Sequence, residues 1–194
     1  MVTNIELPQS LIDEFVGNAH GNYVRVKELL DQHPALLNAN ASWNEHAIEA
    51  AAQTGSVEIV NYLLSKGASL DICTAAMLGW QDHVDALLDS DPSLIQARGA
   101  HGIPLLYYPI ITGNKPLAQR LVQRGASVNG SAPSSTTPLH GAIMFARPDL
   151  AVWLVENGAD VNAKNYENKM PLTMAAENGL TELTVFLRQH GAVE

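Results

Sequence analysis

A helical hairpin written six times in succession restricts this chain more than any other feature. In its clearest copy, Ala51-Ala52-Gln53-Thr54-Gly55 is followed by Ile59, Val60, Leu63 and Leu64 and then by Gly67-Ala68. The glycine between the two helices recurs as Gly21, Gly55, Gly79, Gly113 and Gly179, with Ala146 in the fifth copy, at intervals of 34, 24, 34, 33 and 33 residues. A second glycine, present as Gly67, Gly125, Gly158 and Gly191, falls where a left-handed residue closes the last turn of the second helix. Apolar or small side chains fall at i, i+3 and i+4 in the first helices, as in Ile48, Ala51, Ala52 and Leu172, Ala175, Ala176. That spacing puts them on one narrow face. A lone hairpin cannot bury both of its sides, so a period of this length predicts stacked units and an all-α solenoid.

A longer period overlies the first. Gly21 and Gly79, Leu29 and Leu87, Asp31 and Asp89, Pro34 and Pro92, Gly55 and Gly113, and Gly67 and Gly125 are all separated by 58 residues. Units one and two thus read as duplicated in units three and four. The 24-residue interval leaves unit three about ten residues short of its neighbours, the size of a β-hairpin.

Charge and cysteine content narrow the function. The 194 residues hold 20 acidic and 11 basic side chains, a net charge of −9, with no run of three basic residues. That balance predicts no nucleic-acid partner. Hydrophobic residues at 46% and charged ones at 16% suffice for a packed core. A single cysteine, Cys73, excludes an internal disulfide and a cysteine-cluster zinc site. The polar, acidic start of the chain and the shortness of its apolar runs predict no signal peptide, no membrane partner and a cytoplasmic location.

The stretches Thr137-Pro138-Leu139-His140-Gly141-Ala142, Gly158-Ala159-Asp160-Val161-Asn162-Ala163 and Met170-Pro171-Leu172-Thr173-Met174-Ala175-Ala176 resemble ankyrin repeats. The similarity extends over roughly residues 11 to 194, and its doubled style is similar to small bacterial ankyrin-repeat proteins. It implies a single domain, 1–194, of about six helix-turn-helix units at 11–42, 43–70, 71–98, 99–133, 134–166 and 167–194, with short β-hairpin fingers and the third finger missing. Thr137 would cap its helix, with Pro138 in the first turn, and His140 would hydrogen-bond between repeats. Unit six departs from the pattern with Met170 and Thr173, and units one to three lack the Thr-Pro-Leu-His signature.

The resemblance further implies that finger tips and the ends of the first helices form a concave face. Met77-Leu78, Ile111-Thr112 and Met144-Phe145 stand on that face where other units have Gln53-Thr54 or Glu177-Asn178. Tyr107, Tyr108 and His140 fall about one turn earlier, and Trp80 follows Gly79. The expected partner groove is therefore Met77, Leu78, Trp80, Tyr107, Tyr108, Ile111, Met144 and Phe145, with finger-tip contacts from Trp43, Asn44, Arg98, His101, Lys164 and Tyr166 and from Ser131 to Ser135. The competing reading is that the methionines and aromatics pack against one another as core. Pro109 lies inside the expected first helix of unit four, where it either kinks that helix and opens a pocket or marks a late start.

Catalytic constellations are missing from the sequence. Seven histidines form no His-Glu-x-x-His pair, no Gly-x-Ser-x-Gly elbow occurs, and Gly113-Asn114-Lys115 lacks the remaining residues of a phosphate loop. The expectation is a monomeric, non-catalytic module without metal or cofactor that binds a protein or peptide. The alternative is a small-molecule site or enzyme with a pocket lined by Tyr107, Tyr108, His140, Trp80 and Cys73 between units two and four.

Overall fold

The computed structural model describes residues 7–130 and 136–193, so the Ser131 to Ser135 finger lies outside the described residues. Twelve α-helices are present among them, arranged as six consecutive hairpins. The first helices are α1 (Gln9–Asn18), α3 (Ala47–Gln53), α5 (Ile72–Leu78), α7 (Tyr107–Ile111), α9 (Pro138–Met144) and α11 (Pro171–Glu177). The second helices are α2 (Tyr23–Gln32), α4 (Val57–Ser65), α6 (Gln81–Ser90), α8 (Lys115–Gln123), α10 (Pro148–Glu156) and α12 (Thr181–Gln189). Each first helix packs on the next, α1 on α3 through to α9 on α11, and the pairs α1–α2 to α11–α12 are called units one to six below.

Local chemistry explains the helix limits. Asn22, Asp71, Asn114 and Thr137 each accept a backbone N–H of the first turn that follows them. His46 and Glu49 close a capping box at α3, with the Glu49 carboxylate accepting the His46 N–H at 2.8 Å. Ala50, Ala51, Ala75, Ala76, Ala142 and Ala175 are fully buried, and side chains this small let the first helices approach closely. The second helices bury an i, i+3/i+4 stripe, Ile59 with Val60 and Leu63 in α4, Leu150 with Ala151 and Leu154 in α10. Ala146 takes the left-handed conformation (φ 51°) that glycine supplies at the equivalent turns of other units.

No strand forms among the described residues, and the expected β-hairpin fingers are loops with little strand pairing. Two isolated antiparallel bridges, Asn40 with His46 and Arg98 with Pro104, pin the loops before α3 and α7. Residues 66–71 alone join α4 to α5, against 33–46 before α3 and 91–106 before α7. The loop before α7 fills the space thus left: its 3-10 turn, Ala100–Gly102, packs on α3 and so reaches past unit three to unit two. On the opposite side, successive loops are stitched together. Gln96 donates to the Gly125 carbonyl (3.1 Å), Asn129 to that of Gly158 (2.9 Å) and Asn162 to that of Gly191 (3.0 Å).

Pro109 does not break a helix. α7 begins only at Tyr107, so the proline stands in the first turn, where an N–H has no intrahelical acceptor to lose. Leu105 and Leu106, with the Tyr107 N–H donating to Pro104 O at 2.9 Å, form a preceding turn instead of helix.

Candidate functional site

The closure of units two and four over unit three is built from particular side chains. The Tyr107 hydroxyl donates to the backbone carbonyl of Gln53 at 3.3 Å, and its ring meets Phe145 edge-on with centroids 6.5 Å apart. Gly141 makes room for that ring, because a Cβ there would lie 2.6 and 2.7 Å from two Tyr107 carbons. A Cβ on Gly99 would fall 1.9 Å from the Tyr108 hydroxyl oxygen. Both tyrosines are therefore inserted into slots that glycine leaves. Burial raises their hydroxyl pKa values above the ordinary tyrosine range.

These contacts leave a cleft of about 450 Å³ on the side of the first-helix ends. Its apolar wall is Ile103, Tyr107, Met144, Phe145 and Tyr166; its polar end holds His20, Gln53, Thr54, His101 and Thr136. Met144 and Tyr166 are 42% and 64% exposed and stand at the rim. No Lys or Arg lines the cleft.

Behind the polar end lies Glu45, with no exposed surface. One of its oxygens accepts the Trp43 indole N–H at 2.6 Å and the other accepts a Gln53 amide N–H at 2.7 Å. The only basic side-chain nitrogens within 4 Å of its oxygens among the described residues belong to histidines, His101 Nε2 at 3.5 Å and His20 Nε2 at 3.7 Å. The bonding assigns a tautomer to His20. Its Nδ1 faces the Gly17 carbonyl at 3.2 Å and donates, which leaves Nε2 to accept the second Gln53 N–H at 2.8 Å. A buried carboxylate is costly unless its oxygens are hydrogen-bonded, and Trp43 and Gln53 meet that requirement.

Five of the sequence-expected site residues meet at this cleft: Tyr107, Met144, Phe145, His101 and Tyr166. Trp43 joins through Glu45. Several others do not present the expected surface. Met77 and Ile111 are 2% exposed and Tyr108 1%, because unit four closes over the end of α5 and turns these positions into core. Leu78 is half-buried against that core. Trp80 is exposed but caps α6 beside His83, with ring centroids 6.4 Å apart, and does not line the cleft. Asn44, Arg98 and Lys164 are exposed loop residues; Asn44 accepts from Asn40 (2.8 Å) and Arg98 donates to the Gly102 carbonyl (3.1 Å).

The pocket once expected from Tyr107, Tyr108, His140, Trp80 and Cys73 is not assembled, since only Tyr107 reaches the cleft. Cys73 is 3% exposed and burial pushes its thiol pKa up, which keeps it protonated. His140 is fully buried, and burial lowers its pKa, so the neutral imidazole accepts the Thr137 N–H through Nδ1 at 3.2 Å. Thr137 in turn accepts the His140 backbone N–H at 3.4 Å, with Pro138 and Leu139 buried in the same first turn. Glu45, Gln53 and His20 are not among the site residues expected from the sequence. Glu45 and His20 sit in polar stretches with no motif, Gln53 reads only as a polar repeat position, and the fold alone brings the three together.

No cluster of three or more metal-ligating side chains occurs among the described residues, and no helix there is long and apolar enough to cross a membrane. No curated relative matches the chain. Residues 72–165 match the model for ankyrin repeats in three copies, and residues 43–75 match the model for a single ankyrin repeat. The two matches run on from one another over most of the stacked hairpins, and the chain belongs to the ankyrin-repeat family.

Proposed function

We propose that the chain is a non-catalytic recognition module that takes a peptide segment of a partner protein along its concave side, with the cleft formed by units one, two, four and five and the loop before α11 as the anchoring point. Ankyrin repeats are general protein–protein interaction modules. The observation that carries the finer reading is the exposed apolar rim, Met144 and Tyr166, over a cleft of about 450 Å³. Large side chains left in water beside a concavity are what a buried anchor residue needs. The proposal includes a monomeric, cytoplasmic protein whose partner is neither nucleic acid nor membrane, in keeping with the −9 charge.

Peptides selected against the protein from a phage-displayed random library test it. The double substitution Met144→Ser and Tyr166→Ser should weaken the selected peptides at least tenfold and leave thermal unfolding unchanged. Selected peptides indifferent to the substitutions would place recognition elsewhere. A second reading, a small-molecule site, draws on the cleft volume, which falls within the roughly 300–1,000 Å³ of ligand pockets. Failure of the library to yield any binder, with a metabolite retained by the purified protein, would favour it.

A further inference from the structure

At the polar end of the cleft one hydrogen-bond acceptor, the Gln53 side-chain oxygen, has no donor among the described residues. Gln53 is 8% exposed, and both of its amide N–H groups are used, on Glu45 and on His20. Gln53 lines the cleft, and its Oε1 has no hydrogen-bond partner among the described residues. His101 Nε2 stands 3.5 Å from a Glu45 oxygen. The His20 Nδ1 hydrogen is spent on Gly17. The Glu45 carboxylate lies directly behind, and among the described residues the only basic side chains within 4 Å of it are His20 and His101, with no Lys or Arg. The opposite wall offers the aromatic rings of Tyr107, Phe145 and Tyr166, whose faces carry partial negative charge.

An unpartnered acceptor, π faces and a buried carboxylate all favour one kind of occupant, a hydrogen-bond-donating cation. Of the two cationic side chains, a guanidinium suits an aromatic-walled cleft better, because it is planar, more weakly hydrated than an ammonium and stacks on rings. We infer that the cleft binds an arginine side chain of the partner, its guanidinium donating to Gln53 Oε1 beside the rings of Tyr107 and Tyr166, with Glu45 supplying the countercharge. This rests on the peptide-recognition reading above and names its anchor. The −9 charge of the chain acts in the same direction, raising the local concentration of basic peptides.

Capped pentapeptides with a central arginine, citrulline, lysine or norleucine among alanines, together with free n-propylguanidine, are the probes. Binding is followed by NMR at the Gln53 side-chain amide and the Trp43 indole N–H. The arginine peptide should bind at least tenfold more tightly than the isosteric, uncharged citrulline peptide, and more tightly than the lysine one. Glu45→Gln should bring arginine down to the citrulline level without weakening citrulline. Tyr166→Ala, at a position too exposed to affect folding, should weaken arginine binding several-fold. Equal affinity for arginine and citrulline, or for arginine and norleucine, overturns the inference. So does a preference for arginine that survives Glu45→Gln in a folded protein. If n-propylguanidine binds as tightly as the arginine peptide, the cleft is a site for free cations, and the peptide anchor is wrong. If library-selected peptides depend on Met144 and Tyr166 but show no arginine preference, the anchor assignment fails while the recognition module stands.

Discussion

Units five and six differ from units two to four in what occupies the concave side. In the last two units the first helices end in exposed or half-exposed side chains, Met144-Phe145 and Glu177-Asn178, as in a regular array. In the middle, the short 66–71 connection leaves α5 uncovered, and the loop before α7 closes over it onto α3. Residues at corresponding places in the repeat thereby acquire opposite roles, Met77 as core and Met144 as surface. A repeat position does not fix a side chain's environment; the neighbouring loops do.

The paired substitutions Met77→Ser and Met144→Ser sharpen this contrast most. Removing a buried methionine and introducing a hydroxyl without a partner should cost about 3–5 kcal/mol at Met77. The same change at Met144 should stay within about 0.5 kcal/mol. Urea unfolding of both variants checks this, and similar losses at the two sites would break the distinction.

Gly141→Ala comes next in expected size. In an exposed helix interior the change would stabilise by about 1 kcal/mol. Here the new Cβ meets the Tyr107 ring at 2.6 Å, and that ring is held by Gln53 O, Phe145 and Tyr108. The expected result is a net loss of about 1–3 kcal/mol from overpacking. A gain in stability would mean the ring moves freely and units two and four are not clamped together.

The smallest effect concerns the back of units three and four. Asp85 accepts from Arg120 Nε at 2.7 Å and Arg124 Nη1 at 3.0 Å, and these guanidinium groups, Arg120 foremost, hold its carboxyl below the ordinary carboxylate range. A depressed folded-state pKa stabilises above the unfolded value, and that contribution is lost as pH falls through the folded one. Asp85→Asn should therefore lower Tm by a few degrees at neutral pH, with the gap to the wild type closing under acid. A gap constant with pH would remove the charge from the explanation.

Much of the architecture was legible in the sequence because it depends on local chemistry and period. The inter-helix glycines, the alanine faces and the Thr137 cap each act within one unit. The shortened interval before Gly79 located the place where the array departs from regularity. The burial of Met77, Tyr108 and Ile111 was not legible, since it depends on a loop from one unit covering another. Glu45 illustrates the same limit. A glutamate in a polar loop ordinarily faces water, and its burial follows only from Gln53, His20 and His101 converging on it from three separate segments, with Trp43 of its own loop beside it. Pro109 is a middle case: its sequence position admitted two readings, and the Leu105–Leu106 turn before it decides between them.

Linear arrays ordinarily couple only adjacent modules, so they can peel apart one hairpin at a time from either end. The bond from Tyr107 to Gln53 and the approach of His101 to Glu45 skip a module. Opening any boundary between α3 and α7 breaks contacts on both sides of α5 at once, so this stretch should exchange its amide protons as one cooperative block. The hairpin of α11 and α12, packed chiefly on its one neighbour, should fray by itself.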